Sequence, residues 1–254
     1  MNTLIALFTI VHKETHRFLR IWPQTLLPPA ISTSLYFLIF GKLIGDRVGS
    51  INGVSYMDYI VPGVILMSVI SHAYSNVASS FYAAKFQSHV EELLVAPVSN
   101  WVILVGYLSG GILRGLMVGC VVAMISLLFT QIQIHNVAII LVTAFLTATL
   151  FALAGFINAV FANSFDDISL IPNFILTPLN YLGGVFYSVA MLPEIWQHIS
   201  LANPILYMIN SFRYGFLGIS DIAVELALGR TVGFIVLLTL ICLNLLQKGI
   251  GIRD

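Results

Sequence analysis

Glu91-Glu92-Leu93-Leu94-Val95-Ala96-Pro97-Val98-Ser99 lies between two long apolar stretches and holds the one adjacent pair of glutamates in the chain. Two acids, a short apolar run and a helix-stopping proline describe a small amphipathic helix. It is too short and too charged to cross a bilayer, which takes about 20 apolar residues. The long runs on either side are therefore read as membrane spans, and this segment as the water-facing connection between them.

The composition agrees with that reading. Of 254 residues, 59% are hydrophobic and 9% are charged, against about 25% charged in a soluble domain. The expected fold class is all-α: a polytopic membrane protein, with residues 1–254 forming one transmembrane domain. A net charge of zero gives no reason to expect nucleic acid as a partner. Cys120 and Cys242 fall inside apolar runs on different segments and read as small core residues rather than a disulfide or a metal site. The N-terminus shows no small-residue cleavage pattern, so insertion is expected to use an uncleaved first span.

Six spans are expected near Pro23–Ile44, Tyr59–Phe81, Val102–Phe129, Val137–Ala162, Ser169–Val189 and Thr231–Gln247. Pro28 and Pro29 in the first, and Pro172 and Pro178 in the fifth, should kink those helices or mark their ends. Gly106, Gly110, Gly111, Gly115 and Gly119 in the third include small residues four apart, which lets a neighbouring helix approach closely. No internal repeat is evident, so the inverted-repeat design of many secondary transporters finds no support.

Residues 1–22 are expected to form an interfacial helix. At 100° per residue, Leu4, Leu7, Phe8, Val11, Phe18, Leu19 and Trp22 fall on one face, and His12, Lys13, His16, Arg17 and Arg20 on the other, toward headgroups and water. His12 and His16 are one turn apart, but with no carboxylate or third ligand nearby they read as solvated histidines. Between the fifth and sixth spans, residues 190–229 are too long for a turn and too broken to span. Pro193 and Pro204 look like first-turn prolines of two short helices, with Asn203 capping the second. Folded into the outer leaflet with Trp196 and Tyr207 at the interface, these helices would close the outer end of a pathway.

For orientation, Lys13, Arg17, Arg20, Lys85, Lys248 and Arg253 lie on one side, and Lys42, Arg47, Arg213 and Arg230 on the other. The basic flank of the first span decides for cytoplasmic termini, which places the Glu91-Glu92 and Asp166-Asp167 loops inside as well.

The chemistry that is missing narrows the function. There is no Gly-rich loop ending in Gly-Lys-Ser/Thr, no His-Glu-x-x-His, no Gly-x-Ser-x-Gly and no metal-ligand cluster. The span centres carry none of the carboxylates that proton- or sodium-coupled carriers commonly need. No catalytic residue is assigned, and energy must come from elsewhere. His72 and Arg114 do fall inside spans. Arg114 is read as bonding helix carbonyls or snorkelling, with contact to an anionic substrate group as the alternative, and His72 as a buried neutral histidine. Asp166-Asp167 read as helix caps at the start of the fifth span.

Tyr59-Ile60-Val61-Pro62-Gly63 and Glu91 to Ser99, with Leu182-Gly183-Gly184-Val185-Phe186-Tyr187, Leu192-Pro193, Trp196, Asn203-Pro204, Tyr207 and Arg213, together resemble the permease subunits of type-2 ATP-binding-cassette exporters. These motifs cover most of the chain in order. Gly183-Gly184 stands where such permeases often have Ser-Gly, which should leave that helix slightly looser. The resemblance implies a bacterial inner-membrane, multi-pass permease of six spans that acts as a homodimer, with the pathway between subunits and two separate ATPase subunits on the cytoplasmic side. This chain would bind no cofactor; the partner ATPase would use ATP and Mg. Within residues 85–100, Glu91, Glu92, Leu93, Leu94 and Pro97 would form the coupling helix seated in the ATPase, stiffened by Pro97 and Trp101. Lys13, Arg17 and Arg20 would lie on the interface helix beside it. Arg114, His72, Tyr181, Phe186 and Tyr187 are candidate pathway residues, and the aromatics also suit plain packing. A stand-alone carrier or channel would transport without ATP, and an integral-membrane enzyme would need a nucleophile or metal constellation.

Overall fold

The computed structural model describes residues 3–95 and 98–251, apart from the side chains of Glu91 and Leu94. Pro97 and Arg253 lie outside the described residues. In chain order, α1 (Thr3–Arg20) and α2 (Trp22–Tyr36) lead into a π-helical segment (Phe37–Ile44) and a short α3 (Gly45–Val48). A two-stranded hairpin, β1 (Ser50–Ile51) and β2 (Val54–Ser55), precedes α4 (Tyr56–Phe86), α5 (His89–Val95), α6 (Asn100–Ser126) and α7 (Val137–Phe161). Then come α8 (Phe165–Ile171), a second π segment (Pro172–Leu176), α9 (Thr177–Leu182), a 3-10 turn (Val189–Met191), α10 (Glu194–Ala202), α11 (Pro204–Leu217) and α12 (Val224–Lys248).

Among the described residues five helical stretches are long and apolar enough to cross a membrane: Trp22–Val48, Tyr56–Phe86, Asn100–Ser126, Val137–Phe161 and Val224–Lys248. The expected fifth span, Ser169–Val189, is instead a broken helical path over Phe165–Leu182, about 27 Å long at ~1.5 Å per residue. Pro172 opens the π segment, and Pro178 sits in the first turn of α9. A proline lacks the N–H for the helical ladder and crowds the preceding turn, so α8 ends before Pro172 and α9 begins one residue before Pro178. The path starts on a capping box: Asp167 N donates to Ser164 Oγ (3.1 Å), and Asp167 Oδ2 accepts from the N–H groups of Asn163 (2.9 Å) and Ser164 (3.1 Å). The hairpin is a departure from an all-helical chain. Asn52 (φ 51°) and Gly53 (φ 80°) both take positive φ between antiparallel partners, as a type I′ turn requires.

The core is built on α4. It packs against α6 and α7 along most of its length, and the helices meet where side chains are absent. A methyl on Gly115 would sit 2.9 Å from Ala73 Cβ and 3.0 Å from the Val69 carbonyl oxygen, and one on Gly119 would sit 2.6 Å from Val69 Cγ2. A methyl on Gly111 would collide with Val77, and one on Gly155 of α7 with the Tyr74 carbonyl. The glycines of α6 serve two neighbours rather than one. Gly111, Gly115 and Gly119 receive α4, whereas Gly106 and Gly110 receive Ile10 (2.5 Å to Cγ2) and Glu14 (2.8 Å to Cβ) of α1. Equal steps of four on both helices mean that α1 runs lengthwise along α6.

The ends of the bundle are sorted. At one end Lys85 Nζ donates to the carbonyls of Val160 (2.8 Å) and Ala162 (2.9 Å), and Tyr82 packs edge-on to Phe165. At the other, the Thr130 hydroxyl bonds Asp58, which also accepts from Ser55 Oγ (2.6 Å), and Asn136 N donates to the Gly215 carbonyl (2.7 Å). Cys242 is buried, but Cys120 is exposed on α6 and is not a core residue.

Adding one methyl at a backbone contact should cost far more than at an open glycine. Gly155→Ala is expected to lower stability by about 1–3 kcal/mol in thermal denaturation in detergent, while Gly233→Ala, whose methyl would meet no atom within 4 Å, should leave it unchanged. Backbone N–H bonds from Asn163, with the Ser164 contacts, hold the Asp167 carboxyl below the ordinary carboxylate range. A depressed folded value means that the cap stabilises above the unfolded value of about 3.9 and is lost as pH falls through the lower folded value. The protection of the first-turn amides of α8, exchange relative to an unstructured peptide at the same pH, should therefore be high at neutral pH and fall on acidification in the parent, whereas Asp167→Ala should show low protection at both.

Candidate functional site

Three regions gather the residues singled out above. The first is the turn between α4 and α6. After α4, Ser88 takes a positive φ (59°) and redirects the chain into α5. Val90 is buried and Leu93 packs on the core, while Glu92 and Val95 are exposed. The short helix thus shows one side to the bundle and the other to its surroundings. Trp101, at the start of α6, is also exposed. The contributions of Glu91, Leu94 and Pro97 lie outside what is described.

The second region joins α1 to the bundle and corrects the expected two-faced interfacial helix. The packed stripe is Ala6, Ile10, Glu14 and Phe18, at four-residue spacing, while Leu4, Phe8 and Leu19 are exposed. Glu14 is completely buried; Ser80 Oγ donates to its Oε2 (2.6 Å) and Arg17 Nε lies 3.4 Å from the same oxygen. Arg17 does not point to water as the helical projection implied. Its Nη2 donates to the Asn76 carbonyl (3.1 Å) and to Asn76 Oδ1 (2.8 Å), which Arg114 Nη1 also approaches (3.4 Å). Arg114 is thus held by a side-chain amide of α4. Lys13 and Arg20 remain exposed; Lys13 Nζ stands 5.9 Å over the Tyr107 ring. His12, Lys13, His16, Arg17, Arg20 and Ile21 line an open groove of about 700 Å³. Glu14, which stands between His12 and His16, is a carboxylate that the helical projection leaves unplaced; its position in the Ala6–Ile10–Phe18 series is the signal for its burial.

The third region runs from the middle of α4 to the far end. His72, one turn before Asn76 on α4, lines a cavity of about 250 Å³ with Pro29, Thr33, Ser68, Ser71 and Phe186. An aromatic group covers it: Phe186 stacks on Tyr36 (6.1 Å) and Tyr181 (6.0 Å) and packs on Phe40 (4.9 Å), and the Tyr36 and Tyr181 hydroxyls are 3.2 Å apart. Tyr187 is half-buried and belongs to the neighbouring turn. His72 and Phe186 therefore line one cavity, and Tyr181 reaches it only by stacking on Phe186. Arg114 instead belongs to the α1 junction.

Beyond the cavity, Pro193 forms the N-cap of α10 and Pro204 the first residue of α11, with Asn203 between them. Asn203 Oδ1 accepts from Ile205 N (3.0 Å) and its Nδ2 donates to the Leu179 carbonyl (2.7 Å), so the cap also ties α11 to α9. Trp196 is exposed, as expected at an interface, but Tyr207 is buried; its hydroxyl donates to the Leu201 carbonyl (2.6 Å) and bonds Arg230. Arg213, 1% exposed, lies 3.9 Å over the Tyr59 ring and donates to the carbonyls of Gly184 (2.6 Å) and Tyr59 (3.3 Å). The Gly183-Gly184 pair is not loose. Gly184 is pinned by Arg213, and a methyl on Gly183 would sit 2.7 Å from Ile205 Cγ2.

Residues 5–217 match the family described as ABC-2 type transporter. Over 250 residues, 98% of each chain, the sequence is 58% identical to the inner membrane transport permease YadH of Escherichia coli strain K12. It is also 26% identical to nodulation protein J of Rhizobium leguminosarum bv. viciae, over 84% of this chain and 83% of that one, and 25% identical to nodulation protein J of Sinorhizobium fredii, over 85% and 82%. With most of its length matched to the family and one relative nearly identical in extent, the chain belongs to the ABC-2 type transporters.

Proposed function

We propose that this chain is the membrane-spanning permease subunit of an ATP-driven exporter in the bacterial inner membrane. In this reading it is a homodimer with the translocation pathway between subunits, driven by two copies of a separate ABC ATPase that uses ATP and Mg. The broken helical path that follows the Asp166-Asp167 cap, from position 169 to Leu182, serves as the fifth of six spans, both termini are cytoplasmic, and α10 and α11 are re-entrant helices closing the outer end. The observation that carries the reading is α5: a short helix anchored by Val90 with Glu92 and Val95 exposed, at the end of the bundle where α1 begins. A helix of that size, joined directly to the most buried span, suits a coupling element seated in an ATPase cleft.

Closure of the ATPase pair on ATP would move the two seated helices together. The close backbone contacts of α4 with α6 and α7 would carry that motion to the midline as a rigid shift. The cavity lined by His72, Tyr36 and Phe186 is the candidate pathway for a lipidic or amphipathic substrate. Export, rather than import, follows the family resemblance.

Glu92→Lys is expected to leave insertion and dimer formation intact while abolishing substrate-stimulated ATPase activity and transport, measured on the complex in proteoliposomes. Pro97→Gly should act in the same direction through loss of stiffness. Normal coupled transport in both variants, or transport by the purified chain with no ATPase present, would refute the proposal.

A further inference from the structure

The junction of α1 with α4 and α6 is unbalanced in charge. Lys13, Arg17, Arg20 and Arg114 face or back the groove on α1, against one carboxylate, Glu14, which is already engaged by Ser80. Two guanidiniums converge on a single amide oxygen, Asn76 Oδ1. Asn76 is completely buried; among the described residues its Nδ2 and the Arg114 Nε find no hydrogen-bond partner, and Arg17 Nε has only Glu14 Oε2, 3.4 Å away. Two unpartnered donors beside surplus positive charge form a constellation that suits an anion, because burying like charges without a counter-charge is costly. Arg17 connects the two halves: it lines the open groove and reaches Asn76 behind it.

We propose that the α1 groove is a binding site for the phosphate headgroup of an anionic membrane lipid. Lys13, Arg17 and Arg20 would contact the phosphate, Asn76 and Arg114 would position Arg17, and Glu14 would act as the opposing charge that keeps the site from binding irreversibly. A lipid fits better than a soluble anion because Leu4, Phe8, Leu19 and Trp22 on and beside the same helix are exposed apolar side chains, the surroundings expected where a helix meets acyl chains. It also fits better than an acidic protein surface, which would leave that apolar rim in water. The inference rests on membrane embedding alone and is independent of what the protein transports.

The test places the full-length protein in nanodiscs of mixed phosphatidylglycerol and phosphatidylcholine, transfers it to detergent, and measures retained lipid by native mass spectrometry. The parent should retain phosphatidylglycerol over phosphatidylcholine. Arg17→Gln and Arg20→Gln should each lower that retention roughly fivefold, the effect of about one charge near an anionic surface. Glu14→Gln, which keeps an oxygen for Ser80, should raise it, and Lys42→Gln, an exposed lysine on α2's π-helical extension, should not change it. A site made only to hold the fold would lose retention in Glu14→Gln as in Arg17→Gln, and that result would overturn the proposal. So would equal retention of the two lipids, or protection by inorganic phosphate alone equal to that by phosphatidylglycerol. Loss of a copurifying protein from Lys13→Gln and Arg20→Gln with lipid retention unchanged would assign the groove to that protein instead. Lys13 and Arg20 are exposed, so these variants test the site even where a junction variant fails to fold.

Discussion

Close backbone approach along α6 is the constraint on which the other contacts depend. Inside a membrane, apolar side chains gain little by leaving lipid for one another, so helices are held by tight packing and by polar bonds. One face of α6, at Gly111, Gly115 and Gly119, admits α4; another, at Gly106 and Gly110, admits α1. That second approach brings the Glu14 carboxylate within reach of Ser80 and the Arg17 guanidinium within reach of Asn76. A larger residue at position 110 would push the buried Glu14 away from Ser80, its donor on α4, and Arg17 away from Asn76, which costs more than the packing lost.

The same logic appears at the far end with different residues. Arg213 is buried but not bare: its charge is spread over the Tyr59 ring, and its N–H groups meet the Gly184 carbonyl in the turn after α9 and the Tyr59 carbonyl in the first turn of α4. A single side chain thus fixes α11, the start of α4 and the Gly184 turn relative to one another. With Asn203 capping α11 and bonding Leu179, the α10–α11 unit is seated on the bundle by hydrogen bonds to helix ends, where unpaired carbonyls are available. Between these two polar clamps the packing is largely apolar, and the cavity at His72 lies in that middle stretch.

Much of this was legible from residue order. Long apolar runs located five spans, and the capping residues around Pro204 located α11, because desolvation and missing backbone donors act locally. What escaped depends on partners distant in sequence. Arg17 looks solvated on a helical projection, since nothing in residues 1–22 reveals Asn76, and the packed stripe that holds Glu14 says nothing of Ser80. Tyr207 reads as an interface aromatic until Arg230 and the Leu201 carbonyl are placed beside it. The fifth apolar run is helical only in part: the path stops at Leu182, short of the expected Val189, and the change at Pro172 is one of the two outcomes, kink or end, that a proline allows. The hairpin was readable: Asn52-Gly53 is a strong turn signal, overlooked because strands of two residues leave no alternating pattern.

The central claim is that energy enters through α5, at the end where α1 begins, from a separate ATPase. A photoreactive amino acid at position 92, compared with one at position 222 at the opposite end, tests it directly in membranes of cells that make the intact transporter. The account predicts light-dependent adducts to an ABC ATPase from position 92 and none from 222. Adducts from 222, or none from 92 while transport remains active, would contradict it.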